Sequence, residues 1–531
     1  MFYLDNIYGN SAVYGGAVSI GASMCNWYTS TIHDNTATYG GAIAGGDSHT
    51  FHEGCIIEGN SGVSGGALYV KDNIVMSGAS IINNTSTYCP FYGGGTIQGY
   101  GNLDNNEALD SNHYSLEIGG GSGRFDSIIC SSGTLSVKKG NGEIVHSSTG
   151  TRRGITINQG ACFTAGSTNG NCLVVENGGI LTCSAGATCE VSGGSGLVFN
   201  HSNSVLSLYG GTLKATGCSN GGIELHQNLP SCYGSIICED CTSGISHPVL
   251  QLTGLTQASG KALDIIIRNC SGTSPLMNTT GEITANNITM ENNVVTGGAV
   301  TGGAVTGGAV TGGIINAGSQ RLNLNSINAT GNHIGESASS ITGGIIKADK
   351  VTVNNGYSIR DNTIGGSSTR TRGGLIYAGE ITLGGSGQIT DNSIGGNPTD
   401  IGNNSQGPPV YVSDSSKNLN LSGTPYIAGN TYLDNEGNRK ECNVGLARGL
   451  ASSAKINVTS PLGAGSLISI FPEIHRDLQR IPRRISPAYL NQAVILPANL
   501  SVITSTSISG PAPQLLDIMI TSGVILKAEV R

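Results

Sequence analysis

The most informative stretch of the sequence reads Ile7-Tyr8-Gly9-Asn10-Ser11-Ala12-Val13-Tyr14-Gly15-Gly16-Ala17-Val18. It returns as IHDNTATYGGAI over residues 32–43 and as IEGNSGVSGGAL over residues 57–68. The asparagines and the glycine pairs recur every 25 residues, at Asn10, Asn35 and Asn60 and at Gly15-Gly16, Gly40-Gly41 and Gly65-Gly66. A fixed period of this length is typical of a protein built from stacked repeats.

The repeat returns in the second half of the chain with a longer step. Asn332, Asn362 and Asn392 stand 30 residues apart, each near a further Gly-Gly pair. In the first block a fourth copy begins at Ile81, and we interpret the segment TYCPFY at residues 87–92 as an insertion that delays its glycine pair. Repeat proteins place such insertions on one face, so we expect a surface loop there.

Each residue type in the repeat has a use in a parallel β-helix. Aliphatic side chains at Ile7, Ile32 and Ile57 would stack inside, about 4.8 Å apart. Asparagines at a turn would hydrogen-bond along the stack, and the glycine pair would supply positive φ and close approach at a bend. Between the repeat blocks, short apolar segments alternate with Gly, Ser and Asn, without a helical period. The sequence therefore predicts an all-β solenoid.

Domain organisation follows the repeats. We predict a β-helix over residues 1–445, with repeat blocks at 1–100 and 286–412 and an irregular middle at 101–285. From residue 446 proline becomes frequent and the glycine pairs stop. Because an uncapped edge strand invites pairing with other chains, residues 446–531 are predicted to form an irregular C-terminal β extension or cap.

The overall composition excludes several classes of protein. The formal net charge is −8 and the pI about 5.7, which argues against a nucleic-acid partner because such partners require a basic face. No run of 18 apolar residues occurs, so we predict no transmembrane segment. The N-terminal residues lack the charged and apolar parts of a signal peptide, and the repeat is already under way at Ile7. We therefore expect a chain cut from a longer precursor, with both ends open to truncation.

The repeat resembles that of the polymorphic outer membrane proteins, which pair Gly-Gly-Ala-(Ile/Leu/Val) with Phe-x-x-Asn. Here the first motif stands as GGAV, GGAI and GGAL at residues 15, 40 and 65, and the second as IYGN, IHDN and IEGN, with Ile replacing Phe. That family, like the wider class of adhesin-like proteins, uses right-handed parallel β-helices. The resemblance implies the same fold, an autotransporter-like surface location and an adhesive role. It covers residues 1–100 and 286–412.

Candidate catalytic and metal-binding residues are scarce. The aspartates Asp34, Asp361 and Asp391 each precede a repeat asparagine, which favours a turn role over catalysis. Cys238-Glu-Asp-Cys241 is the only cysteine pair at zinc-ligand spacing and lacks a second pair. We therefore expect no metal, no cofactor and no catalytic residues. Thirteen of the 14 cysteines lie between Cys25 and Cys270; they are expected either to pack as small apolar side chains or to form some disulfides in an exported protein.

Two functional hypotheses follow. The first is a non-enzymatic, exported cell-surface protein, an adhesin-like or structural rod whose lateral surface contacts a host surface, a matrix molecule or a glycan. The second is a polysaccharide-active lyase or hydrolase, or a carbohydrate-binding module, with its site in residues 101–285. If two carboxylates lie within about 10 Å in a groove, with a basic residue beside them, the first hypothesis should be dropped.

Overall fold

A computed structural model gives the fold of the chain. Every regular element among the described residues is a β-strand, and no described residue is helical. No helix long and apolar enough to cross a membrane is found there. The structure describes residues 1–3, 6–110, 113–118, 125–139, 145–146, 154–199, 201–244, 247–273, 275–297, 299–301, 304–306, 309–336, 338–366, 370–395, 408–433, 439–441, 443–446, 455–470, 494–495, 515–520 and 524–529.

The chain forms two compact units. The first comprises Met1–Thr242, Val249–Thr253 and Gln257–Leu263, and the second comprises Ser243–Pro248, Gly254–Thr256 and Asp264–Arg531. The predicted change at residue 446 stays a prediction, because the structure describes only part of the chain beyond it. In that part, Asn418 pairs with Lys455 and Tyr426 with Leu467, both in parallel.

In the first unit, each early repeat contributes strands to three parallel sheets. One sheet consists of Ser11–Tyr14, Thr36–Tyr39, Ser61–Ser64, Thr85–Ser86 and Glu107–Ala108. A second consists of Val18–Ile20, Ile43–Gly45, Leu68–Tyr69 and Phe91–Tyr92. The third face contains Phe2–Tyr3, Ile7–Tyr8, Met24–Tyr28, Thr31–His33, Ser48–His52, Ile56–Glu58, Asn73–Ile82, Thr96–Asn102, Glu117–Ile118, Ser127–Cys130, Thr134–Lys139, Val145–His146, Gly154–Ile157, Cys162–Ser167, Leu173–Val175, Ile180–Cys183, Thr188–Gly193, Leu197–Phe199, Val205–Thr216 and Ile223–Glu239.

The second unit repeats this arrangement. Two strands, Leu250–Gln257 and Leu263–Arg268, carry residues assigned to each unit. One parallel sheet contains Ser271–Gly272, Val294–Val295, His333–Ile334, Thr363–Ile364, Ser393–Ile394 and Thr431–Leu433, with Arg439–Glu441 added in antiparallel orientation. A three-stranded sheet contains Ala309–Thr311, Ser340–Thr342 and Arg370–Arg372, and Ala299–Thr301 pairs with Ala304–Thr306. The remaining strands are Met277–Thr279, Ile283–Glu291, Ile315–Asn316, Arg321–Thr330, Ile346–Arg360, Ile376–Leu383, Ser386–Thr390, Val410–Val412, Asn418–Ile427, Val444–Leu446, Lys455–Leu462, Leu467–Ile470, Val494–Ile495, Leu515–Ile520 and Val524–Glu529.

Identical repeat positions stack in register, which confirms the predicted all-β parallel solenoid. Ile57 pairs with Ile32 on one side and with Ile81 on the other, and all three side chains are buried. Such in-register pairing places like side chains one strand spacing apart, so each column fills the interior continuously. Strand pairing is the same for either hand of the coil, so the right-handed sense stays a prediction.

The segment TYCPFY is not the inserted loop that the sequence predicts. Phe91 pairs in register with Leu68, and Tyr92 with Tyr69, so the segment supplies the next strand of the second sheet. Its backbone is held there because the Pro90 carbonyl accepts the N–H groups of Ala67 and Leu68. A buried Phe91 ring occupies the column that Leu68 fills in the preceding turn. The repeat pattern predicts a loop here because no glycine pair precedes Phe91 and the glycines of this copy follow Tyr92.

A buried histidine lies in the core of the first unit. The indole Nε1–H of Trp27 donates to Nδ1 of His49 over 3.0 Å, so Nε2 carries the proton and donates to the Gly45 carbonyl over 2.8 Å. Neither Trp27 nor His49 is exposed. Burial lowers the pKa of His49, although the hydrogen bond to Gly45 opposes that shift. The fold therefore holds this imidazole in its neutral form.

Acid should destabilise the first unit through His49. The folded pKa lies below the ordinary value of about 6.5, so this stabilisation is complete above pH 6.5 and is lost as the pH falls below it. The free energy of unfolding should drop by up to about 1.4 kcal/mol per pH unit in that window. Chemical denaturation of wild type, His49→Gln and the half-exposed control His226→Gln measures this. A His49→Gln variant that keeps the wild-type acid slope would contradict the assignment.

Candidate functional site

The repeat asparagines of the first unit form one buried hydrogen-bonded column, here called the first asparagine ladder. Asn35 donates both its backbone N–H and its Nδ2 group to Oδ1 of Asn60, each over 3.0 Å. The same Nδ2 group also donates to the carbonyls of Ile7 and His33. Every member except the exposed Asn10 is buried. The members are Asn10, Asn35, Asn60, Asn84 and Asn106.

The second unit contains an equivalent column, the second asparagine ladder. Asn332 donates its backbone N–H and Nδ2 to Oδ1 of Asn362 over 3.0 and 2.8 Å. All its members are buried, and each amide oxygen from Asn332 onwards accepts two hydrogen bonds from the asparagine of the turn before it. The members are Asn293, Asn332, Asn362, Asn392, Asn430 and Asn443. Of the two ladders, Asn106 and Asn443 were not singled out from the sequence.

From Asn10 to Asn430, the residue before each ladder asparagine has a positive φ. Asp34, Asp361 and Asp391 have φ of 55°, 57° and 57°, and Gly9 and Gly59 have 68° and 63°. Gly, Asn and Asp are the residues that adopt this left-handed conformation at the lowest cost. The aspartates therefore serve a turn: Asp361 and Asp391 stack at the same position of two consecutive turns, whereas Asp34 belongs to the first unit.

Cysteines replace asparagine at three ladder positions. Cys218, Cys241 and Cys270 follow Gly217, Asp240 and Asn269, which have φ of 60°, 55° and 53°. Each thiol donates to the carbonyl two residues earlier, as a ladder amide does. In the second unit, the backbone N–H of Cys270 donates to Oδ1 of Asn293 over 3.0 Å. In the sequence, Asp/Asn-Cys-Ser/Thr corresponds to the Asp-Asn-Ser/Thr of the ladder turns. This correspondence is the signal that could have identified the cysteine positions.

The cysteines are thiols and almost all are buried. All of those described are reduced, and only Cys162 is partly exposed. A hydrogen bond with Cys241, together with burial, raises the pKa of the Cys218 thiol. A hydrogen bond with Cys183, together with burial, likewise raises the pKa of Cys189. Protonated, buried thiols are poor nucleophiles, so these positions offer packing and hydrogen bonds rather than covalent chemistry.

The glycine pairs lie where successive turns approach most closely. Gly40 has a φ of 67°, and a Cβ there would lie 2.2 Å from the Ile43 carbonyl oxygen. A Cβ on Gly41 would lie 2.2 Å from the carbonyl oxygen of Gly66 in the next turn. Gly41 donates its N–H to the Gly65 carbonyl over 2.9 Å. The same arrangement holds at Gly15-Gly16 and Gly65-Gly66, where the first glycine has positive φ and the second faces a backbone carbonyl.

Tyrosines form an outward column on the first unit, here called the tyrosine column. Tyr14 stacks on Tyr39 with ring centroids 4.8 Å apart, and Tyr69 stacks on Tyr92 at 4.4 Å. Tyr39 and Tyr69 meet edge to face at 5.2 Å, which joins the two pairs. Burial, followed by the neighbouring Tyr92, raises the pKa of Tyr69, so its hydroxyl stays neutral and able to donate. The column thus presents ring edges and hydroxyl groups along one line.

Two carboxylates share one lysine in the middle of the chain. The Nζ of Lys214 lies 3.6 Å from Glu190 Oε1 and 3.2 Å from Glu239 Oε2. The two acids therefore lie within the 10 Å that the enzymatic hypothesis requires, beside a basic residue. Lys214 occupies the space between them, and it pairs in register with Glu190. Lys350 and Glu380 make a similar outward pair at 3.2 Å in the second unit.

A further cluster, separate from these ion pairs, combines a thiol, an imidazole and a carboxylate. Cys89 Sγ, His113 Nδ1 and Glu117 Oε1 all lie within 4.8 Å of one another. These three residues do not all have the short spacing of two to four residues by which zinc ligands are recognised in a sequence. In a solenoid the relevant spacing is one turn, and Cys89 and His113 are 24 residues apart.

The fold and these columns define the chain as a parallel β-helix protein. No protein-family model, curated protein or solved structure matches the chain. Function must therefore be argued from the arrangement of side chains alone.

Replacing Asn60 should destabilise the first unit strongly. Asn60→Ala removes the acceptor of the Asn35 N–H and Nδ2 groups and the donor to the Ile32 and Glu58 carbonyls. A buried group left unsatisfied costs about 1–3 kcal/mol, so we expect a loss above about 3 kcal/mol in chemical denaturation. Asn10→Ala, at the exposed end of the ladder, is the control and should cost less than about 1.5 kcal/mol. Equal losses in the two variants would show that the column is not cooperative.

Two glycine replacements should separate the energetic cost of a positive φ from the cost of a steric clash. Gly9→Ala tests conformation alone, because Gly9 has a φ of 68° and no atom within 4 Å of the added Cβ. It should cost about 1–2 kcal/mol. Gly40→Ala adds the clash with the Ile43 carbonyl and should cost a further 1–3 kcal/mol or so, measured by thermal unfolding. If Gly40→Ala were the milder change, the backbone could not fold back between Gly40 and Ile43 as tightly as described.

Proposed function

We propose that the protein is a non-enzymatic, exported surface protein whose lateral face binds a glycan. The observation that carries this proposal is the tyrosine column, a line of hydroxyls and ring edges on an outward face. Tyr14 is 55% exposed, and Tyr39, Tyr69 and Tyr92 are half-buried. Sugar hydroxyls are hydrogen-bonded well by tyrosine hydroxyls, while the ring bodies supply apolar contact.

The internal residues of the repeat support a scaffold role. The asparagine ladders, glycine pairs and aliphatic columns are each used for folding, which leaves the outward positions to make external contacts. A solenoid presents such positions as extended lines, which suit long, repetitive ligands. The resemblance of the repeat to polymorphic outer membrane proteins supports the further proposal that the chain is an adhesin-like member of that group, displayed at a cell surface.

Glycan binding by the intact chain tests this proposal. Wild-type protein should bind members of a panel of immobilised polysaccharides and matrix glycans. Changing Tyr14, Tyr39, Tyr69 and Tyr92 to serine should weaken that binding at least tenfold, or about 1.4 kcal/mol. The control changes the stacked pair Tyr377 and Tyr411 of the second unit to serine. Unchanged binding after loss of the tyrosine column would contradict the proposal.

Display at the cell surface is tested separately by labelling the cells that make the protein. A reagent that cannot enter cells should label the protein on intact cells. If label were found only after lysis, the surface location would be wrong. Glycan binding by the tyrosine column could then still be judged from the panel.

The carboxylate pair favours a second candidate, a polysaccharide-cleaving enzyme. Glu190 and Glu239 meet its distance requirement. Tyr209 lies on the strand of Lys214, and Tyr233 lies on the strand of Glu239. We favour a structural ion pair, because Lys214 fills the space that a scissile bond would need. The same polysaccharide panel distinguishes the two candidates. New polysaccharide chain ends that appear with wild type and not with Glu190→Gln would establish an enzyme. Polysaccharides that stay intact would leave glycan binding as the only activity.

A further inference from the structure

The segment TYCPFY places a thiol beside a histidine and a carboxylate of the next turn. The Sγ atom of Cys89 lies 4.0 Å from Nδ1 of His113, which in turn lies 3.0 Å from Oε1 of Glu117. The three donor atoms fall within 4.8 Å of one another. Three ligands around one metal at 2.0–2.3 Å have similar mutual separations, so only small side-chain movements would be needed to bind an ion.

Two of the three residues in the cluster are buried, and the third is partly exposed to solvent. Cys89 is 5% exposed and Glu117 is 4% exposed, whereas the side chain of His113 is 31% exposed. The ring of Tyr88 meets that of His113 edge to face, with centroids 5.2 Å apart. An ion bound here would be held against the protein by Cys89 and Glu117 and reached by water from the side of His113.

The backbone holds the three ligands in position. The Cys89 carbonyl accepts the N–H of Gly65 over 2.8 Å, which fixes it to the preceding turn. The N–H of His113 donates to the Asp110 carbonyl over 3.0 Å. The N–H of Tyr114 donates to Oε1 of Glu117 over 3.3 Å. A site fixed in this way loses little conformational freedom when an ion binds.

We propose that Cys89, His113 and Glu117 bind one zinc ion. A set of one sulfur, one nitrogen and one oxygen ligand suits zinc, whereas magnesium and calcium prefer oxygen ligands alone. Thiolate and carboxylate together carry two negative charges, which the ion neutralises in this sheltered place. Three protein ligands leave a fourth position for water. This proposal does not depend on the proposed glycan binding.

Binding involves a defined proton balance. The sulfur–zinc bond forms as the Cys89 thiol loses its proton to solvent, and the nitrogen–zinc bond forms as the hydrogen that Nδ1 of His113 donates to Glu117 leaves that nitrogen for Nε2 or solvent. Each zinc ion should therefore release about one proton, and its affinity should weaken as the pH falls. The ion would link two consecutive turns, so it should also raise the thermal midpoint of the first unit.

Metal titration of the full-length, reduced chain tests this site. Zinc added to metal-free protein should bind at one ion per chain, and cobalt should give a sulfur-to-metal absorption band. Cys89→Ser and His113→Ala should each weaken binding at least tenfold. The control is Cys218→Ala, since Cys218 lies among other buried thiols that a metal could occupy instead.

The variants separate a metal site from an ordinary ion pair. His113→Ala removes a partly exposed side chain, so it keeps the test valid if Cys89→Ser does not fold. Zinc uptake lost in His113→Ala but kept in Cys218→Ala would establish the site. Failure of the wild type to bind zinc, or binding that survives His113→Ala, would overturn the proposal and leave His113 and Glu117 as a structural ion pair.

Discussion

The two repeat blocks depend on one hydrogen-bonding requirement, the satisfaction of buried backbone groups at the same bend of each of their turns. A strand stack provides partners within its sheets, but a bend between sheets leaves amides and carbonyls without them. One asparagine per turn meets this need. Its Oδ1 accepts two hydrogen bonds from one neighbouring turn. Its Nδ2 donates to backbone carbonyls and to the asparagine side chain of the other neighbouring turn. The positive φ of Asp34 or Gly59 before it follows from this bend.

Most of the fold could be predicted from the sequence because the bend imposes identical demands on each turn. The spacing of Asn10, Asn35 and Asn60 fixes the turn length, and the pairs at Gly15 and Gly40 mark the next corner. Prediction was wrong where a turn solves the same problem with other residues. Phe91 takes the column position without a glycine pair before it, and Cys218 takes the ladder position without an amide. A search for identical letters overlooks such chemical substitutes.

The candidate sites were harder to predict, because they depend on neighbours in adjacent turns rather than in sequence. Tyr69 and Tyr92 are 23 residues apart, and Cys89 and His113 are 24 apart, yet each pair is in contact. Glu190 and Glu239 are two turns apart and meet across Lys214. Only the register of the stack, which changes with each turn length, reveals which distant residues share an outward line.

Amide hydrogen exchange at the ladder turns tests the central claim most directly. The N–H groups of Asn35, Asn60 and Asn362 each donate to an asparagine side chain in the next turn. They should exchange as slowly as the strand amides beside them, although they lie in Gly/Asp/Asn-rich turns. Exchange at the rate of an unfolded peptide, with the neighbouring strands protected, would contradict the account, because the strands would then stack without the ladder.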